Sequence, residues 1–216
     1  MKKLYALVIG ATGATGREIV KLLLNDNNFE QVTIFVRKAP EIQHEKLKIH
    51  VIDFNEIEMH KNLIIGDILF SALGTTKKDA GGKDQQYEID YTYQYEFAKI
   101  ASENSIENYS LVSSTGANQN SSFFYPKIKG ELEEAVKKLK FKKIDIFQPP
   151  MLVRQQDLIR DGEKSGIKVL NVLNKIGILK SQKPLKVNKL AEKMVKNAKI
   201  TTQEKVSTYL PKDLFN

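Results

Sequence analysis

The stretch LYALVIGATGATGREIVKLLL, residues 4–24, decides how the rest of the chain is read. Leu4 to Ile9 is a near-continuous apolar run, the pattern of a strand buried on both faces of a parallel sheet. Gly10, Gly13 and Gly16 follow at G-x-x-G-x-x-G spacing. Arg17 to Leu24 then carries Ile19, Val20, Leu22, Leu23 and Leu24, an apolar helix stopped by Asn25 to Asn28. Glycine-bearing turns are common, but a strand before and a helix after mark a phosphate-binding loop. Gly10 permits the tight turn, Gly13 lets backbone approach a pyrophosphate, and Gly16 lets helix pack close to strand. Backbone N–H groups and the positive end of the helix dipole hold the phosphates. Thr12, Ala14 and Thr15 complete the loop, the two threonines adding hydroxyl donors.

The same alternation continues outward. Val32 to Val36, Leu47 to Ile52 and Ile68 to Leu73 read as further strands, the last ended by Gly74. Ile89 to Ser102 reads as a helix, Tyr109 to Val112 as a fifth strand, Glu131 to Leu139 as a helix, and Ile144 to Phe147 as a sixth strand ended by Pro149 and Pro150. Strand and helix in alternation predict an α/β fold: a Rossmann-type doubly wound parallel sheet with helices on both faces. Residues 1–216 are read as a single domain, with the segment from about 150 to the C-terminus on the substrate side. Val187 to Ala198 reads as a helix there, while Gln155 to Leu179 shows no clear pattern.

Composition narrows the chemistry. There are no cysteines, which excludes a disulfide framework, a thiolate metal site and a cysteine nucleophile. His44, His50 and His60 lack the helical spacing of a shared metal site, so no metal is expected. The net charge of +8 arises largely from lysines in the second half, interrupted by acids and apolar positions, a solvated surface rather than a nucleic-acid face. The apolar run behind Met1, Lys2 and Lys3 is too short for a signal peptide, and no stretch has the length of a membrane span, so a cytoplasmic location is expected.

The end of the second strand selects the cofactor. A dinucleotide site that prefers NAD places an acid about twenty residues beyond the glycine loop, against the ribose hydroxyls. This chain has Val36, Arg37 and Lys38, with no acid adjoining. A guanidinium grips a ribose phosphate that a carboxylate would repel, so NADP is expected over NAD.

Together, GATGATG (residues 10–16), Asp53 closing the third strand, Ser113-Ser114 closing the fifth, and Tyr125 with Lys129 resemble a short-chain dehydrogenase/reductase. SALGTTKKDAGG (71–82), LVSSTGAN (111–118) and YPKIKGELE (125–133) are similar to the atypical branch around the Tat-interacting oxidoreductases, whose bacterial members are often labelled nucleoside-diphosphate-sugar epimerase-like. The likeness runs to Pro150 and thins beyond it. It implies that Asp53 and the adjoining Phe54 lie at the adenine, that Ala72, Leu73 and Gly74 line the adenosine side, and that Pro149 lies beside the nicotinamide. It also implies a catalytic set of Ser114, Tyr125 and Lys129, with Ser113 as the alternative serine and Lys129 also holding the nicotinamide ribose.

Hydride transfer to a carbonyl needs a proton donor beside the carbonyl oxygen. A tyrosine hydroxyl can serve when an ammonium nearby stabilises the phenolate. Tyr125 and Lys129 stand four apart, on one face of a helix. Pro126 biases Tyr125 away from helical geometry and is expected to be the first helical residue. Thr75 to Asp84 reads as a polar loop, a lid or a plain connection, and Tyr87, Tyr91, Tyr93 and Tyr95 as mostly helix-packing residues. The leading expectation is an NADP-dependent oxidoreductase of a small carbonyl or alcohol. A sugar-nucleotide epimerase or dehydratase, for which the segment after Pro150 is short, and a non-catalytic NADP-sensing regulator are the alternatives, as monomer or homodimer.

Overall fold

The computed structural model describes residues 3–155, 158 and 183–215. Its strands are β1 (Leu4–Ile9), β2 (Phe29–Val36), β3 (Leu47–Val51), β4 (Ile68–Ser71), β5 (Asn108–Val112), β6 (Lys143–Phe147), β7 (Leu152–Val153), β8 (Leu185–Lys186) and β9 (Val206–Tyr209). Seven of them form one sheet in the order β3-β2-β1-β4-β5-β6-β9, and every pairing in it is parallel. β7 and β8 make a separate parallel pair. The Rossmann-type doubly wound sheet is therefore present, with a seventh strand that the sequence reading did not contain.

Alternate residues of β1 point to opposite faces, which is why its apolar run is unbroken. Ala6 and Val8 face a core shared with Ile19 and Leu23 of α1 (Ala14–Leu24) and with Leu190 and Met194 of α6 (Val187–Ala198). Leu7 and Ile9 face a second core with Phe97 and Ala101 of α4 (Tyr93–Glu103) and Leu132 and Val136 of α5 (Phe124–Lys137). Both faces of the sheet are thus covered by helices.

Several boundaries differ from the sequence expectation. α1 starts at Ala14 rather than Arg17, inside the glycine loop itself. The polar connection after β4 folds into two short helices, α2 (Lys77–Ala80) and α3 (Lys83–Tyr87). Thr76 caps α2 by accepting from Asp79 N at 3.1 Å, and Gly81 ends it in a left-handed conformation. A π-helical turn, Glu88–Thr92, then joins α3 to α4, so helical backbone begins before Ile89. α5 starts at Phe124, not near Glu131, and Tyr125 lies in its first turn. Pro126 is tolerated there because the first-turn N–H groups of a helix have no intrahelical acceptor to lose.

β9 was not read from the sequence and pairs in parallel with β6, far from it along the chain. It is held by Tyr209, whose ring stacks on Phe147 of β6 with centroids 4.7 Å apart. Nearby, Lys143 is buried, pairs with Asp145 at 3.1 Å and donates to Asn197 O and to Ile200 O. A lysine ammonium on the last carbonyls of α6 complements the helix dipole and ties α6 to the sheet. The weakly patterned stretch 155–179 lies almost wholly outside the described residues.

Gly10 and Gly81 both have positive φ, +76° and +91°, but only Gly10 is enclosed. A Cβ at Gly10 would stand 2.4 Å from Ala72 C, whereas one at Gly81 would meet nothing within 4 Å. Gly81→Ala is expected to cost about 1–2 kcal/mol, the left-handed penalty alone. Gly10→Ala should add an overpacking term and reach about 2–5 kcal/mol. Urea unfolding of the two variants beside the parent measures the difference, and equal losses would contradict the close approach.

Candidate functional site

Because all seven strands run the same way, the loops that follow them share one edge of the sheet. The chain leaves β1 toward β2 on one side and reaches β4 on the other, so the switch in strand order falls between β1 and β4. Ligands of open α/β sheets bind at such a point. Here the backbones of Gly10 and Ala72–Leu73 meet, with Ala72 N donating to Ile9 O at 3.0 Å. Gly16 packs equally close: a Cβ on it would lie 2.0 Å from Gly10 O.

At Gly13 the surroundings open. A Cβ there would meet Gly10 O at 3.3 Å and Ala72 O at 4.0 Å and no third heavy atom within 4 Å. Gly13 is the N-cap of α1, no side chain caps the helix, and no acid stands in its first turn. Unclaimed amides at the positive end of an 11-residue helix suit a diphosphate, so the residues present fit a dinucleotide. Thr12 is exposed, while Ala14 and Thr15 are buried in the first turn.

At the end of β2, Arg37 and Lys38 are exposed, and β3 ends beside them, with Ile52 N donating to Val36 O at 2.9 Å. Asp53 is exposed and accepts from Asn55 N at 2.9 Å, which starts the 3₁₀ segment Phe54–Leu63. Phe54 turns its ring into the core, 5.6 Å from Tyr93, so this position offers the edge its backbone rather than its ring. The Tyr93 hydroxyl donates to Asn55 Oδ1 at 2.7 Å, fastening α4 to the same corner.

The group that the sequence reading missed is Asp90. It lies in the π-helical turn and is fully buried, with Oδ1 2.8 Å from Lys129 Nζ. Its Oδ2 accepts from Thr75 N at 3.0 Å, and Gly74 leaves room for the carboxylate, which would lie 3.5 Å from a Cβ. Gln94 Nε2 donates to Asp90 O at 2.8 Å and its Oε1 accepts from Ser71 Oγ at 2.7 Å. The loop after β4, the π turn and α5 are thereby joined through one buried carboxylate, and β4 is tied to the backbone carbonyl of the same residue through Gln94. Burial pulls the Lys129 pKa down, but the Asp90 carboxylate, aided by Tyr125 and Glu133, more than reverses this and holds it above the ordinary lysine value.

Lys129 Nζ also lies 5.9 Å from the centre of the Tyr125 ring, so the expected tyrosine–lysine pair does share one face of α5. The two serines diverge. Ser113 is buried and donates to Glu133, whose carboxylate also accepts from Gln148 Nε2 at 3.0 Å. Burial pushes the Glu133 carboxyl above its usual range despite those two hydrogen bonds. Both serines line a cavity of about 600 Å³ together with Tyr125 and Pro149, but Ser113 is engaged by Glu133 whereas Ser114 donates only weakly, to Thr115 O at 3.3 Å. Ser114 is therefore the serine whose hydroxyl is available to a ligand beside Tyr125. Tyr87, Tyr91 and Tyr95 stack on one another along the helix, consistent with packing. Among the described residues no cluster of metal-ligating side chains occurs, and no helix is long and apolar enough to cross a membrane.

Comparison with known proteins agrees with this geometry. Residues 10–144 match a protein family described as NAD(P)H-binding. The chain is 32% identical to Protein HTATIP2 of Rattus norvegicus over 167 residues, covering 76% of this chain and 69% of that protein. It is 36% identical over 180 residues to Protein FMP52-1, mitochondrial, of Scheffersomyces stipitis, covering 81% and 75%. Among solved structures, the Bordetella bronchiseptica enzyme WbmG in complex with NAD superposes with a TM-score of 0.72 at 10% identity, over 97% of this chain and 73% of that one, a likeness of fold.

Removing the carboxylate with Asp90→Asn leaves Lys129 buried with its nearest counter-charge gone, which is expected to cost about 3–5 kcal/mol at neutral pH. The sign with pH follows from the raised Lys129 pKa. In the parent, stability from the pair is fully present below the ordinary lysine value of 10.5 and is lost as pH rises through the higher folded-state value. In the variant burial dominates, so the folded state favours neutral lysine and stability recovers as pH rises toward 10.5. Urea unfolding at pH 7 and at about pH 9.5 should show the gap between the two proteins narrowing; a constant gap would contradict the electrostatic account.

Proposed function

The chain belongs to the NAD(P)H-binding family, in the atypical short-chain dehydrogenase/reductase branch with HTATIP2 and the FMP52 proteins, and from that membership we propose that it is an NADP-dependent oxidoreductase of a small carbonyl or alcohol substrate. The observation that carries the reading is the meeting of Ser114 and Tyr125 in one cavity, with the charged Lys129 buried behind the tyrosine ring. Bound nicotinamide would supply the hydride acceptor or donor.

The chain's own residues would do the rest. Gly10, Thr12, Gly13, Ala14, Thr15 and Gly16 would hold the diphosphate at the start of α1. Arg37 and Lys38 would take the ribose phosphate that distinguishes NADP from NAD. Asp53 and Phe54 would border the adenine, Ala72, Leu73 and Gly74 the adenosine side, and Pro149 the nicotinamide. Ser114 would orient the substrate oxygen and Tyr125 would pass the proton to or from it. The buried positive charge of Lys129 would favour a phenolate during that transfer, and Asp90 would act as the positioning residue that keeps the lysine charged and in place.

Fluorescence titration with NADPH and NADH tests the cofactor. The parent should bind NADPH at least about tenfold more tightly, and Arg37→Glu should reverse the preference. Tyr125→Phe should keep NADPH binding and lower turnover of a carbonyl substrate by about 10²–10⁴. Failure of both nucleotides to bind would overturn the reading. Tight NADPH binding without turnover of any carbonyl or alcohol offered would instead make the protein a cofactor sensor.

A further inference from the structure

The cavity that holds Ser114 and Tyr125 is also lined by Lys77, Lys83 and Arg154, and by no carboxylate among the described residues. These cations arrive from two separate parts of the chain. Lys77 is the first residue of α2 and Lys83 the first of α3, both after β4, whereas Arg154 follows β7. Their convergence is therefore a property of the fold and not of one lysine-rich segment.

Local structure fixes two of them. The Thr76 cap and the left-handed Gly81 bound α2, which sets where Lys77 leaves the chain. Lys83 Nζ sits 5.4 Å over the ring of Phe124, the residue before Tyr125, so its charge stands at the mouth of the cavity beside the proposed proton carrier. Met151 and Phe124 supply apolar wall between the charges and the serine. The phosphates of a dinucleotide have other partners: the start of α1 for the diphosphate, and Arg37 with Lys38 for a ribose phosphate.

We propose that this cavity takes a small carbonyl compound, or the corresponding alcohol, that carries a carboxylate or phosphate group, held by Lys77, Lys83 and Arg154 while its reacting oxygen lies at Ser114 and Tyr125. The inference rests on the oxidoreductase reading above and adds the substrate class to it. Clustered like charge with low-dielectric walls concentrates an oppositely charged ligand, and an arginine fork or an ammonium rewards either anion. The cavity volume of about 600 Å³ suits a compound of a few carbons beside a nicotinamide.

Calorimetric titration with matched pairs tests it on the full chain, with and without saturating NADP⁺. The pairs are 4-oxopentanoate against its methyl ester, and dihydroxyacetone phosphate against dihydroxyacetone. At least one anion should bind about tenfold or more tightly than its neutral partner, and the pair that shows this identifies carboxylate or phosphate. The double variant Lys83→Gln, Arg154→Gln should lose that preference while its NADP⁺ affinity stays within about twofold of the parent. Equal binding of charged and neutral partners, or no anion binding below about 10 mM, overturns the proposal. So does a double variant that keeps the anion preference, or one that loses NADP⁺ instead, because the cations would then serve the cofactor. If the parent itself fails to bind NADP⁺, the oxidoreductase reading falls, and the titrations without nucleotide still report on the anion site.

Discussion

The tightest constraint in the molecule is the backbone contact at the switch between β1 and β4, where Gly10 meets Ala72 and Leu73 and Gly16 meets Gly10. At both glycines an added Cβ would fall inside another residue's backbone, at distances no side chain can relieve. This closeness brings the start of α1 down onto the sheet edge and leaves Gly13 with more room than Gly10 or Gly16. The anion cradle follows from it, since helix amides can face a ligand at the edge only when the helix begins at the turn itself. The same contact sets the path of the chain out of β4, toward Gly74, Thr75 and the cavity.

A second constraint acts through charge. Lys129 and Asp90 are both almost wholly buried, and neither could stay ionised there alone. Their pairing forces the π-helical turn and α5 to keep register, because a residue's slip on either element would leave a charge without its partner. A π turn is the irregularity that lets one residue of a helix face a different direction from its regular neighbours, and such turns are frequent at functional sites. Here it points the carboxylate at both the lysine and the Thr75 amide. The energy stored in this pair stabilises the fold only while both partners remain, so stability and the placement of the lysine behind Tyr125 are one property.

Much of this was legible in the residues, and the exceptions have physical causes. The β1 run, the glycine spacing and the α1 stripe agree with one another at every level, and the sheet follows from their repetition along the chain. The Tyr125–Lys129 pair was visible because helical spacing alone puts the two on one face. Asp90 was not, because an acid among polar and aromatic neighbours looks like surface until tertiary packing buries it; the signal that could have found it was a fully buried lysine in need of a counter-charge. α5 begins two residues before Pro126, the position expected to be its first, because any first-turn position can hold a residue without an N–H. β9 was missed because its partner β6 is far away in sequence, and only packing on Phe147 makes its four residues a strand.

The distribution of charge along the sheet edge gives these parts a common logic. The start of α1 offers a partial positive charge from amides, with no lysine in the glycine loop. Full charges stand at Arg17, whose Nε donates to Thr12 O at 3.1 Å in the glycine loop, at Arg37 and Lys38 beyond β2, and at Lys77, Lys83 and Arg154 beyond β4 and β7. Between them, the one ammonium near the proposed chemistry, Lys129, is paired with Asp90 and withdrawn from solvent. A free ammonium at that point would compete with the outer cations for any anionic group that entered the cavity and would draw it onto the tyrosine. On the proposed reading, Lys77, Lys83 and Arg154 would hold the charged end of an entering anion while its uncharged end reached Ser114 and Tyr125.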